Sequence, residues 1–242
     1  MYVDKEKCIG CGSCVTYCPM QALSVVEDSL DINHNECVEC NICYRAGVCP
    51  CDALEIKELS WPRIVRSVFS DPLLSHGNTG VPGRGTEEMK TNDVTNRFRP
   101  GYIGIAIEMG RPGTGTRFYD VEKVAMAVAE HDVKFEILNP VTHLMTNRAT
   151  GQINPEVLNE KALSAIIEFE IPSEKTREVL RTIKDVSAEI ETVFSLDICS
   201  RVAQDGILPQ VAPVEQEDIA LSINGKTNVG LGRVKEKGGA MA

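Results

Sequence analysis

Apolar residues follow two distinct periods along the C-terminal half of the chain. Alternating or continuous apolar runs predict strands at 102–108, 133–138, 163–171 and 192–199. Between these runs the apolar period lengthens to three or four residues, which is typical of helices packed on a sheet. The pattern therefore predicts a domain that mixes strands and helices.

The helical segments complete this pattern. Helices are predicted over 120–131, with Asp120 as N-cap, and from Ser173 to about residue 185. A shorter helix is predicted over 155–161, and Asn224-Gly225 predicts the turn of a hairpin over 218–231. The order of elements predicts an α+β fold: a βαββαβ sandwich, with a four-stranded antiparallel sheet and two helices on one face, followed by a C-terminal hairpin.

The first 58 residues lack such periods and instead contain a repeat. Each copy runs Cys-x-x-Cys-x-x-Cys and later reads Cys-Pro-x-x-Ala-Leu, and the second copy begins 29 residues after the first. The cysteines of the two copies are Cys8, Cys11, Cys14 and Cys18, then Cys37, Cys40, Cys43 and Cys49. A repeat this short cannot bury a sufficient core from its own side chains, so we expect a metal group to hold it.

Composition narrows the class of protein. The chain has ten cysteines in 242 residues, and nine of them lie within the first 51. Its N-terminus has no basic region followed by an apolar stretch, so we expect a cytoplasmic, reducing compartment and metal-bound cysteines rather than disulfides. A net charge of -10 argues against nucleic acid as a partner, and no apolar run approaches the length of a membrane span.

The cysteine spacing favours iron–sulfur cubes over zinc. Zinc sites use paired Cys-x-x-Cys hooks, whereas a third cysteine at the same spacing suits a [4Fe–4S] cube. The cysteine before the proline in such a run binds the other cluster. Two [4Fe–4S] clusters are thus predicted, one bound by Cys8, Cys11, Cys14 and Cys49, the other by Cys18, Cys37, Cys40 and Cys43.

Residues 1–58 resemble a bacterial-type two-[4Fe–4S] ferredoxin domain, in which all eight ligands occur in this order. One departure concerns the second copy, which has five residues rather than three between Cys43 and Cys49, with Cys51 close behind. The shared Cys-Pro phase favours Cys49 as the ligand. Cys51 is an alternative ligand, a free thiol or a small buried side chain.

These features divide the chain into a ferredoxin domain at 1–58, a linker or docking segment at 59–100, and an α+β domain at 101–242. The middle segment is rich in glycine and carries a net positive charge. Its basic residues Arg84, Lys90, Arg97 and Arg99 are candidates for docking an acidic partner surface, although a solvated loop has the same composition.

The remainder of the chain offers weaker resemblances. Its predicted order of elements is similar to ACT-like domains, which implies architecture only. The segment 83–95 resembles proteins related to 6-hydroxynicotinate reductase, which implies electron delivery to a reducible ring or thioester. Since no acid–base or nucleophile set is legible, no catalytic residue is predicted.

Three functions remain open. The first is an electron-transfer subunit that relays single low-potential electrons to a larger redox enzyme, in a homo- or hetero-oligomer, and is not catalytic alone. The second is a redox or metabolite sensor, or a maturation protein, with an ACT-like ligand-binding domain. The third is a subunit of a ferredoxin-dependent reductase.

Overall fold

The computed structural model describes residues 1–81, 100–111 and 113–221. Its N-terminal unit runs from the first strand to the fourth. The elements of this unit are β1 (Tyr2–Val3), a 3-10 turn (Val15–Tyr17), β2 (Leu23–Val26), β3 (Ser29–Ile32), α1 (Ile42–Arg45) and β4 (Leu54–Glu55). The short elements leave most of the unit as loops that carry the cysteines.

Two antiparallel strand pairs frame these loops. β1 pairs with β4, so the first and last strands of the N-terminal unit lie side by side. β2 and β3 form a hairpin whose two-residue turn, Glu27-Asp28, has positive φ at both positions, as a type I′ turn requires.

The interior of the N-terminal unit contains thiols beside a few apolar side chains. Its buried members are Met1, Cys14, Ala22, Leu23, Leu30, Ile32, Cys37, Cys43 and Leu54. Cys8, Cys18 and Cys49 pack against them from partly buried positions. So small an apolar core gives little stability by itself.

The rest of the described chain forms a second unit, the sheet unit, preceded by helix α2 (Ile64–Ser70). Its elements are β5 (Tyr102–Met109), β6 (Thr116–Arg117), α3 (Phe118–Ala129), β7 (Lys134–Phe135), α4 (Pro140–Leu144), β8 (Met145–Asn147), β9 (Gln152–Ile153), β10 (Lys161–Ala162), β11 (Ala165–Pro172), α5 (Thr176–Val186), β12 (Phe194–Ser200) and α6 (Val211–Gln216). Short 3-10 turns cover Pro155–Val157 and Ser173–Lys175. The mixture of helices and strands agrees with the sequence pattern.

A four-stranded sheet carries this unit, with the order β12-β5-β11-β7 and antiparallel neighbours throughout. The central pair β5 and β11 is in register over eight residues. One face of β5 presents Ile103, Ile105 and Ile107, which are fully buried in a core that α3 and α5 also enter. The alternating apolar pattern thus reflects burial of this face under the two helices.

Both long helices begin at different residues from those predicted. α3 begins at Phe118, and Asp120 lies in its first turn, where its carboxylate accepts a hydrogen bond from the backbone N–H of Glu191 at 3.3 Å. α5 begins at Thr176 after a 3-10 turn, and Ser173 makes no side-chain cap. Asp120 thus binds a backbone N–H that is distant in sequence instead of capping its own helix. At Ser173, a 3-10 turn stands in place of the predicted cap.

Two predicted β segments also differ. The strand predicted over 133–138 is limited to Lys134–Phe135, because the Glu136 carboxylate accepts the Leu138 N–H at 2.8 Å and Asn139 then caps α4. In the predicted C-terminal hairpin, residues 218–221 form no strand, and the remaining residues lie outside the described part of the chain.

Helix α2 joins the two units. Val65 and Phe69 enter the core of the sheet unit, and the Phe69 ring meets Phe118 edge-on at 5.1 Å. On its other side Arg66, only 4% exposed, donates hydrogen bonds at 2.9–3.0 Å to the backbone carbonyls of three residues. These residues are His34, Asn35 and Cys37. The same guanidinium pairs with the Glu160 carboxylate of the sheet unit.

Further ion pairs reinforce this joint. Glu36 pairs with Arg117 at 2.6 Å and with Lys161, both from the sheet unit. These two cations lower the pKa of Glu36, the Lys161 hydrogen bond being the largest cause. The loop that carries the second cysteine motif is therefore fastened directly to the sheet unit.

We predict that Arg66→Leu destabilises the protein by about 3–5 kcal/mol, because it removes a buried guanidinium and leaves the partly buried Glu160 carboxylate and the Cys37 carbonyl without this donor. The midpoint of anaerobic urea unfolding measures the change. Lys57→Leu is the matched control, since Lys57 is more than half exposed and its pair with Glu55 should be worth at most about 1 kcal/mol. Equal shifts in the two variants would contradict the role of Arg66.

Candidate metal centre

Two cavities lie within the N-terminal unit. The first cavity brings together three cysteines of the first motif with two from the end of the second motif. Its cysteines are Cys8, Cys11, Cys14, Cys49 and Cys51. Ile9 and Gly10 also line it, and Cys11 is exposed to solvent.

The second cavity has the complementary set. Its cysteines are Cys18, Cys37, Cys40 and Cys43, so the fourth cysteine of the first copy lies with three from the second. Met1, Met20 and Leu23 also line this cavity. Four of the eight predicted ligands thus line the first cavity together with Cys51, and the other four line the second cavity.

The two crossing cysteines have matching surroundings. The backbone N–H of Ala22 donates to Cys18 Sγ at 3.2 Å, and the N–H of Ala53 donates to Cys49 Sγ at 3.2 Å. Each donor is the alanine of the repeated Cys-Pro-x-x-Ala-Leu segment. Cys49 therefore occupies the position equivalent to Cys18, despite the two additional residues before it.

Cys51 lies beside this position, not at an isolated site. Its Sγ is 3.7 Å from Cys49 Sγ, and its side chain is partly exposed in the first cavity. The sequence left its role open among alternative ligand, free thiol and buried side chain. Its partial exposure does not fit the last of these.

The pKa values of the thiols that line the first cavity are shifted in different directions. Burial opposes ionisation of Cys8, but the N–H groups of Gly10 and Leu30 and the Ser29 side chain outweigh it and lower the pKa. Cys49 behaves similarly: burial opposes ionisation, and hydrogen bonds from Ala53 and its neighbours lower the pKa. Burial and the hydrogen bond to Cys49 raise the pKa of Cys51. The environment therefore favours a thiolate at Cys49 over one at Cys51.

The second cavity is buried more deeply. Burial raises the pKa of Cys37 and Cys40, and it raises that of Cys43 to about 12. Because only a thiolate binds metal, occupation of this cavity must release protons. Cys37, Cys40 and Cys43 of this cavity are each 8% exposed. Ile9, which lies beside the first cavity, is 64% exposed.

A glycine fixes the loop around the first cavity. Gly10 has a φ of +63°, and a Cβ placed there would lie 2.4 Å from the Asp28 carbonyl oxygen. A Cβ at this distance would overlap the carbonyl oxygen, so any side chain at residue 10 would force the backbone of the loop to move. The absence of a side chain at Gly10 therefore lets this loop lie against the β2–β3 turn.

Other parts of the candidate site were not legible in the sequence. Arg66 binds the carbonyl of Cys37 from another element, and Met20 touches Gly115 of the sheet unit from the second cavity. The proposed docking residues Arg84, Lys90, Arg97 and Arg99 lie outside the described residues. Among the residues that are described, no helix has both the length and the apolar character to cross a membrane.

We predict that Gly10→Ala costs the protein about half of its iron, because the clash deforms the loop of one cavity only. Anaerobic reconstitution followed by iron and sulfide analysis measures this loss. Gly47→Ala is the matched control: Gly47 has a similar φ of +62° but no atom within 4 Å of a Cβ. An unchanged iron content in Gly10→Ala would show that the contact with Asp28 is dispensable.

Comparison with known proteins agrees with this geometry. A family model described as a 4Fe-4S binding domain matches residues 1–24. An uncharacterized ferredoxin of Methanocaldococcus jannaschii is 41% identical over 61 residues, which are 23% of this chain and 74% of the relative. No solved structure matches the chain.

Two further relatives are named as subunits of oxidoreductases. Pyruvate synthase subunit PorD of Thermotoga maritima is 42% identical over 57 residues, covering 23% of this chain and 54% of the relative. The delta subunit of NADH-dependent phenylglyoxylate dehydrogenase of Aromatoleum evansii is 40% identical over 48 residues, covering 20% of this chain and 50% of the relative. This chain thus spans between half and three quarters of these relatives. Its N-terminal cysteine-rich unit, which resembles a ferredoxin throughout, identifies the chain as a member of the 4Fe–4S ferredoxin family.

Proposed function

We propose that the chain is an electron-transfer subunit with two [4Fe–4S] clusters, one in each cavity. Cys8, Cys11, Cys14 and Cys49 would hold the first cluster, and Cys18, Cys37, Cys40 and Cys43 the second. The observation that carries the proposal is the crossed arrangement: each cavity joins three cysteines of one motif to the fourth of the other. Two-cluster ferredoxins use this ligation.

The alternative of zinc is less well supported. A zinc site gathers about four ligands around one ion at about 2.0–2.3 Å. Within residues 1–81, 100–111 and 113–221, no three His, Cys, Asp or Glu side chains are arranged to hold a single ion. A cube spreads its four thiolates over four iron corners, so its ligands need not converge on one point.

When bound, the clusters supply one-electron chemistry. The chain's own residues determine how they are held. Backbone N–H groups of Ala22, Leu30 and Ala53 donate to cysteine sulfurs, which offsets the negative charge of the thiolates. The sheet unit shields the second cavity through the Met20–Gly115 contact and the Arg66 hydrogen bonds.

The difference in exposure suggests a direction for the relay. The first cavity opens to solvent near Ile9 and Cys11, and Val25 beside Gly12 is 42% exposed. The second cavity lies against the joint with the sheet unit. We therefore infer that electrons are exchanged with a partner through the first cluster.

The partner would be a larger oxidoreductase. Support comes from the relatives named as subunits of pyruvate synthase and of phenylglyoxylate dehydrogenase. In this proposal the sheet unit is a βαββαβ sandwich, supported by its strand order β12-β5-β11-β7 and by helices α3 and α5 in one core. Its task would be docking or assembly, and the basic segment with Arg84, Lys90, Arg97 and Arg99 remains the predicted docking element.

We predict about eight iron and about eight acid-labile sulfide per chain after anaerobic reconstitution. Dithionite reduction should give the electron paramagnetic resonance spectrum of two interacting [4Fe–4S]⁺ centres. Four or fewer irons, or stoichiometric zinc, would contradict the proposal.

We also predict that the isolated reduced protein turns over no substrate by itself and passes electrons only when a partner enzyme is added. Anaerobic co-purification with mass spectrometry identifies that partner, and stopped-flow bleaching of the purified pair measures the transfer. Arg84→Glu combined with Lys90→Glu should weaken the association, as should raised salt. Turnover by the isolated chain would instead favour a reductase, and binding of a metabolite by the isolated chain would favour a sensor.

A further inference from the structure

The first cavity contains one cysteine more than a cube can use. Cys8, Cys11, Cys14, Cys49 and Cys51 all line it, whereas a [4Fe–4S] cluster has four iron corners. We propose that Cys51 is an exchangeable fifth ligand of the first cluster, which takes the corner of Cys49 when Cys49 is lost. This inference rests on the assignment of the first cavity to a cluster.

The geometry allows the exchange without movement of the chain as a whole. The two Sγ atoms are 3.7 Å apart, and both side chains are partly exposed. Pro50 stands between the two cysteines and restricts the backbone there. Rotation about the side-chain bonds can therefore bring either sulfur to nearly the same place.

The resident ligand is nevertheless defined. The Ala53 N–H donates to Cys49 Sγ at 3.2 Å, just as Ala22 donates to Cys18. Cys49 thus has the position that the repeat assigns to a ligand, and Cys51 stands beside it as the reserve.

Of the two copies of the repeat, only the second has a cysteine two residues after the cysteine of its Cys-Pro pair. Met20 occupies the position equivalent to Cys51, two residues after Cys18. Met20 lines the second cavity and packs against Gly115, so the shielded cavity has a thioether where the exposed cavity has a thiol. Accessible cysteines are those most readily oxidised, so the spare thiol lies where a ligand is most readily lost.

The exchange balances without a co-reactant. In the exchange, the Cys51 sulfur would replace the Cys49 sulfur on the same iron. The proton of the Cys51 thiol would pass to the Cys49 sulfur, or to water where that sulfur is absent. No electron is gained or lost, so the cluster keeps its oxidation state.

Four variants of the full chain test this inference: Cys49→Ala, Cys51→Ala, the double variant, and Cys18→Ala as the matched control. Each is reconstituted anaerobically and analysed for iron, sulfide and the resonance spectrum of the reduced state. Alanine is used because a serine oxygen can itself bind iron. Cys51→Ala should keep about eight irons, and Cys49→Ala should also keep about eight, with a shifted spectrum for one cluster. The double variant and Cys18→Ala should fall to about seven or fewer.

Two results would overturn the inference. If Cys49→Ala matches the double variant in iron loss, Cys51 does not reach the corner. Alternatively, Cys51→Ala loses iron while Cys49→Ala keeps the wild-type spectrum, in which case Cys51 is the resident ligand. Failure of the proposed function is distinct from both, because the wild-type chain would then hold fewer than about eight irons.

Discussion

The interior of the N-terminal unit depends on sulfur. Its buried residues include Cys14, Cys37 and Cys43, and its apolar side chains are too few to hold the loops by packing alone. In the second cavity, burial raises the pKa of Cys37, Cys40 and Cys43, so metal binding at the proposed site would release protons. Under the proposed function, metal binding would therefore be coupled to folding of this unit, and the strand pairs mainly determine where the loops begin and end.

The contacts around α2 place the two copies of the cysteine repeat in different surroundings. The two halves of the N-terminal unit share the Cys-x-x-Cys-x-x-Cys run and an N–H···S hydrogen bond to the cysteine before proline. Among the described residues, Arg66 and Glu36 fasten the second motif to the sheet unit, whereas Cys11 of the first motif is exposed. The two cavities thus differ in their surroundings.

Two ligand groups can be predicted from the cysteine spacing because ligand spacing is a local property, and the members of each group line one cavity of the structure. The apolar periods located β5, β11 and β12 within two residues. Features that depend on distant partners were missed. Asp120 has the chemistry of an N-cap but binds the backbone of Glu191, and Arg66 binds carbonyls about 30 residues away. No local pattern records such partners.

The pairing of β1 with β4 has a consequence for how this protein was assembled. Because the first and last strands of the N-terminal unit are neighbours, the unit begins and ends at almost the same point. A module with adjacent ends can be joined to another fold without disturbing the path of the host chain. The relatives match 20–23% of this chain, and adjacent ends would let a unit of this size be joined to the sheet unit as one block.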